Sequence, residues 1–128
     1  MNISFNENDV RALREAFNRS PQVVKSEASN FLSRGIAEYN KVIMRNPWTV
    51  GASGGGAPVA TANIRDTHQR QVEDWQAWIR PTAEYAGYVH EGTGSMVSRP
   101  WLEYAQETGD RYIIILQNQM LDNIIKQL

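Results

Sequence analysis

Tyr85–Trp101 reads YAGYVHEGTGSMVSRPW and joins three signals in one short span. Tyr85, Ala86, Tyr88 and Val89 form an aromatic and small-residue run suited to seating a chain against a sheet. Glu91, Gly92, Thr93 and Gly94 read as a turn, because glycine reaches backbone conformations that other residues resist. Arg99 precedes proline and is biased toward extended backbone. Pro100 suits the first helical position, so Pro100-Trp101 launches a helix from a set angle. Glu91 and Arg99 flank the turn. They form either an ion pair that clamps it, fixing geometry more than adding stability, or two exposed charges. The span reads as a structural joint rather than a catalytic site.

The helix launched there continues to the C-terminus. Trp101, Tyr104, Ala105 and Thr108 share one face. Ile113, Leu116, Met120 and Ile124 form a second stripe, with Leu121, Ile125 and Leu128 beside it. Gly109 weakens the middle of this helix by about 1 kcal/mol relative to alanine, which leaves room for a kink there.

Upstream, His68 to Ile79 suggests extended structure. Trp75, Ala77 and Ile79 alternate with Gln76, Trp78 and Arg80, the period of a half-buried strand. Glu73-Asp74 is either a turn or part of one continuous ribbon, and Pro81 closes the run. One of Trp75 and Trp78 then faces away from the core, where tryptophan serves as an interface anchor; a shared core with Trp101 is the alternative. Thr61 to Asp66 suggests one helical turn.

Thr49 to Pro58 carries Gly51, Gly54, Gly55 and Gly56 and reads as a mobile loop unable to pack a core. Before it, Val24, Ala28, Phe31, Leu32, Ile36, Tyr39 and Ile43 make a long amphipathic helix, opened by Ser20-Pro21 and ended by Asn46-Pro47. Asn6 to Asn18 forms a shorter one with Val10, Leu13, Ala16 and Phe17 on one side. The fold class is α+β: a long N-terminal helix, a small antiparallel sheet, and a long C-terminal helix packed on that sheet, all in one domain over 1–128.

Bulk properties narrow the function. The net charge is −1 and the 13 basic residues are scattered, so no basic stripe points at nucleic acid or an anionic membrane. The absence of cysteine removes disulfides, thiolate metal sites and cysteine nucleophiles. The longest apolar run, Tyr112 to Leu116, is far short of the ~20 residues of a spanning helix. The N-terminus, MNISFNENDVR, lacks the pattern of a signal peptide, and a protein kept in the cytoplasm until assembly is expected.

Candidate chemistry is thin. The glycine loop has no lysine and does not make a Walker cradle. His68 and His90 lack the spacing of a helical metal pair, although Asp66 and Glu91 lie near them. Neither Ser53 nor Ser95 sits in a nucleophile elbow. No catalytic, cofactor or metal residues are assigned, and the chain reads as no enzyme.

The segment Ala57–Thr67, APVATANIRDT, resembles a family pattern of Ala-Pro, a spacer, then Thr-Gly-x-Leu-Arg-x-Ser. Tyr85–Ala105 resembles the same family's YA-x-YV-x-E-x-GT motif, followed by methionine, Arg-Pro-aromatic-Leu and a closing alanine. The family is the tail-completion, head–tail joining proteins of long-tailed bacteriophages, similar to minor tail component Z. Ala62, Ile64 and Thr67 depart from the usual glycine, leucine and serine. The acid at Glu91 directly precedes Gly92, and Trp101 replaces a common phenylalanine.

The resemblance implies a structural virion protein at the head–tail junction, assembled in the host cytoplasm. Its partners would be other copies in a ring, six being one candidate order, and the head connector and tail-terminator or tail-tube proteins. It implies no membrane, and nucleic acid only as DNA passing through the neck. The loop at 49–58 is then expected to order on meeting a neighbour. Two alternatives stay open. One is a small nucleic-acid-binding or toxin-like module of a mobile element, with Arg65, Arg70 and Arg80 on one sheet face. The other is a hydrolase using His90 and Glu91.

Overall fold

The computed structural model describes residues 1–58 and 64–127. Among these, the elements run β1 (Asn2–Ile3), α1 (Glu7–Arg19), α2 (Pro21–Met44), a 3-10 turn (Arg65–Thr67), β2 (His68–Val72), β3 (Ala77–Pro81), α3 (Ala86–Glu91) and α4 (Trp101–Gln127). This is the expected α+β class, with a short β1 and α3 added.

Local chemistry explains the helix boundaries. Asn6 caps α1 by accepting a hydrogen bond from the Asp9 amide at 2.9 Å. Ser20 ends α1 and starts α2 through its backbone alone: its N–H donates to Ala16 and its carbonyl accepts from Val24. The Ser20 hydroxyl makes no capping bond, contrary to the usual role of serine at such a junction. Pro21 needs no amide partner at that position. Asn46, with φ of 44°, turns the chain out of α2 ahead of Pro47.

The antiparallel sheet has the order β1–β3–β2. Gln71 pairs with Trp78 and Val72 with Ala77, so Glu73–Gln76 is a tight hairpin turn and not part of a continuous ribbon. Directly opposed residues share a face. Ile3, Ala77 and Ile79 form the buried face, against α2. Gln69, Gln71, Trp78 and Arg80 form the other, where the Arg80 guanidinium lies 4.4 Å from the Trp78 ring centre. Arg70 opposes Ile79 and Arg80 opposes Gln69, so the two arginines occupy opposite faces. The shared arginine face expected for nucleic acid is therefore not formed, because the turn changes the alternation between the strands. Arg65 instead lies in the 3-10 turn and pairs with Asp66 at 3.2 Å.

The two long helices pack along each other, and α4 meets the sheet side at its N-terminal end. Val24, Ala28, Phe31, Leu32, Ile36, Tyr39 and Ile43 from α2 meet Trp101, Ala105, Leu116, Met120 and Ile124 from α4. Gly35 and Gly109 permit this approach. A Cβ at Gly35 would lie 3.1 Å from Ile113 Cδ1 of α4 and 2.7 Å from Ile3 Cδ1 of β1, and one at Gly109 would lie 2.9 Å from Tyr39 Cδ1. Gly109 is thus a seat for the Tyr39 ring, and α4 runs through it as one helix rather than ending or restarting there. The Tyr39 hydroxyl donates to Asp110 Oδ1 at 2.8 Å. Burial, then the Asp110 carboxylate, pushes the Tyr39 pKa well above its ordinary range.

The glycine segment is also corrected in part. Residues 49–53 are exposed, but Gly55, Gly56, Ala57 and Pro58 are buried. Gly56 donates to the Asn46 carbonyl at 2.9 Å, and its own carbonyl accepts from Trp48 at 3.0 Å. A Cβ on Gly56 would collide with the Arg45, Ile43 and Val42 carbonyl oxygens. These glycines let one backbone lie against another, which the reading of a loop unable to pack missed. Trp48 completes the clamp: its indole donates to Ala52 O at 3.1 Å and meets Tyr104 edge-on at 5.8 Å. The first half of the helical turn expected over Thr61–Asp66, residues 61–63, lies outside the described residues, as does Ala62 of the first motif; its second half enters the 3-10 turn Arg65–Thr67.

Gly109→Ala tests the helix contact. Overpacking costs roughly 1–3 kcal/mol, against the ~1 kcal/mol that alanine gains over glycine in a helix. The substitution is expected to lower the urea midpoint; a midpoint at or above the parent's means that the Tyr39 ring yields without cost.

Candidate functional site

The Tyr85–Trp101 span forms a short helix, a projecting loop and the start of α4. Ala86 and Val89 are the buried residues of α3. Tyr85 and Tyr88 are 50% and 65% exposed, so they face outward rather than seat the span against the sheet. Helical spacing explains this: Ala86 and Val89, three apart, take the inner face, and Tyr85 and Tyr88, also three apart, take an outer one.

Gly92 ends α3 at φ of 81°, and its amide donates to the Tyr88 carbonyl at 2.8 Å. A Cβ there would lie 2.8 Å from Ser98 N and 2.9 Å from Met96 O. The strands of the loop are therefore in backbone contact at its base. Thr93 and Met96 close the tip with two backbone hydrogen bonds of 2.8 and 3.2 Å. The loop returns where Arg99 N donates to Val89 O at 3.0 Å. Val97 is 79% exposed at this projection, and Gly94 lies in open space there.

The expected Glu91–Arg99 clamp is absent. Glu91 is 78% exposed and its Oε1 lies 2.8 Å from His90 Nδ1. Arg99 is buried and its guanidinium reaches Met96 Sδ at 4.0 Å. Backbone bonds to Val89 and Tyr88 hold the loop instead. Pro100 lies just ahead of α4, and its carbonyl accepts from Tyr104 N at 3.1 Å, consistent with a helix start within a residue of expectation.

Trp101 is fully buried behind the loop, between the two histidines. Its indole N–H donates to His68 Nε2 at 2.9 Å. The His90 ring meets it edge-on at 5.0 Å and the His68 ring at 6.0 Å. An indole N–H only donates, so His68 Nε2 accepts. His68 Nδ1 then carries the proton and donates to Arg65 O at 3.1 Å. Burial lowers the His68 pKa, although the carbonyls of Arg65 and Ile64 favour the charged form. His68 is thus a neutral acceptor that fixes Trp101, not a ligand. His90 Nε2 is buried without a hydrogen-bond partner, against the Trp101 ring. His90 Nδ1 and Glu91 are paired with each other. Among the described residues no cluster of three or more His, Cys, Asp or Glu side chains suits a metal.

A second feature escaped the sequence reading. Ser4, Phe5, Val10, Leu13, Arg14, Phe17 and Trp75 line an open apolar groove of about 480 Å³. Phe17 and Trp75 meet edge-on at 6.0 Å, tying the hairpin turn to α1. The alternation of Val10, Leu13 and Phe17 was legible as an apolar side, but not the turn that carries Trp75 across to it. No helix among the described residues is long and apolar enough to cross a membrane. Comparison with known proteins finds no match to a protein-family model, a curated protein or a solved structure.

Three outcomes follow from this geometry. The folded state holds His68 neutral, whereas the unfolded chain takes up a proton as pH falls through the ordinary 6.5. Stability is therefore expected to be full above about pH 6.5 and to fall as pH drops below it. Nitrogen chemical shifts of His68 should report the Nδ1–H tautomer, and a His68 titrating above 6.5 contradicts the assignment. Gly92→Ala, forced into a left-handed conformation, should cost at least ~1–2 kcal/mol, read as a lower thermal midpoint.

Proposed function

We propose that this chain is a structural protein of a tailed bacteriophage or prophage, joining the head connector to the tail tube as a ring of copies at the neck. The resemblance of Tyr85–Ala105 to tail-completion proteins motivates the reading. One observation carries it: Tyr85, Tyr88, Met96 and Val97 all face solvent on an element braced from behind by buried Val89, Arg99 and Trp101. Apolar side chains on a braced support suit assembly, because little conformational entropy remains to be lost on docking.

Tyr112, Ile114, Ile115 and Ile125 add further exposed apolar side chains on a second element, α4. Two unlike surfaces on one chain fit the heterologous contacts that a closed ring requires. The role asks for no catalysis, cofactor or metal. The head-completion or connector protein and the tail-terminator or tail-tube protein are the partners at the two faces of the ring, and DNA passes through it. Assembly takes place in the host cytoplasm and the final location is the head–tail junction.

Light scattering and negative-stain imaging of the purified chain, alone and mixed with connector and tail-tube proteins, test this. A closed ring of defined order is expected. A chain that stays monomeric at high concentration and in both mixtures sinks the proposal.

A further inference from the structure

The groove against α1 and the loop at 92–98 lie at opposite ends of the β2–β3 hairpin. Trp75, in the Glu73–Gln76 turn, lines the groove. At the other end His68, opposite Pro81, holds Trp101, two residues from Arg99 and the base of the loop. Strands of five residues separate the two features by roughly 17 Å. The loop of one copy therefore does not reach its own groove.

The two features match in chemistry. The groove walls are Phe5, Val10, Leu13, Phe17 and Trp75, and Arg14 at its edge has no ion-pair partner among the described residues. The loop carries Met96 and Val97 on a backbone held by the Gly92 turn and the Arg99–Val89 bond, with the exposed Glu91 carboxylate at its base. Four other exposed apolar side chains lack this combination. Val50 has no carboxylate nearby in its segment, and Ile114, Ile115 and Ile125 lie on the surface of a helix rather than on a projection.

We propose that the groove is the docking site for a second copy of this chain. It receives the Met96–Val97 tip of the next copy, with Arg14 facing that copy's Glu91. The contact is head-to-tail, each copy offering its loop at one end and its groove at the other. It rests on the self-assembly reading above and names the surfaces that perform it. Aliphatic tips entering an aromatic-walled groove supply the apolar burial, and the charge pair sets register.

The absence of native cysteine allows a clean disulfide test on the full chain. Val10→Cys and Val97→Cys are both at exposed positions and are made separately. Mixed and oxidised at a concentration where the parent is oligomeric, they are expected to give a cross-linked dimer that neither gives alone. The double variant should give a ladder. Arg14→Glu should lower the cross-link yield severalfold, and adding Glu91→Arg should restore it.

An oligomer that forms no 10-to-97 cross-link overturns the groove contact and leaves self-assembly standing. So does an oligomer in which Val50→Cys or Ile125→Cys captures position 10 instead. A chain monomeric at every concentration, alone and mixed with connector and tail-tube proteins, overturns both readings, and a groove that takes up a free fatty acid instead of the loop overturns the groove contact.

Discussion

The hydrogen bond from the Trp101 indole to His68 is the constraint on which the joint depends. It connects the first residue of α4 to the first residue of β2, so the helix pair and the sheet share one fixed point. His90 packs on the same ring from α3, which brings the projecting loop into register with both. Three elements are thereby oriented by one side chain. Its loss leaves a buried imidazole nitrogen without a donor, and such an orphaned group costs more than the bond itself contributes.

The charged residues around the joint play smaller parts than their positions suggest. Glu91 pairs only with His90 Nδ1, and Arg99 is buried against methionine sulfur. The turn is held by amides and carbonyls, which no substitution removes except proline. A joint built in this way keeps its shape while its outward side chains vary.

The α+β class and the long helices were legible because their apolar residues recur at helical spacing over many turns. The hairpin was legible as alternation, but its turn was ambiguous: Glu73-Asp74 carries no glycine or proline to mark it. Tyr85 and Tyr88 were misread because α3 is too short for periodicity to show, and large aromatics look buried by default. The Gly54–Gly56 run carried a flexible composition, yet its packed half is set by close approach to the end of α2, a long-range fact. For the joint, Gly92 and Trp101 were found from local signals. His68 was not, because its partner lies beyond a sequence separation at which pairing is readable. The groove was hidden for the same reason, since Trp75 and α1 meet only after the hairpin folds.

The Tyr39–Asp110 bond beside Gly109 has a mechanical consequence. A one-turn slide of α4 along α2 would drive a side chain into the space of the Tyr39 ring and strand its hydroxyl in the helix interface. Shear between the two helices is therefore closed to this molecule. They move as a single strut, and any bending during a change of state falls on the non-helical connections at its ends.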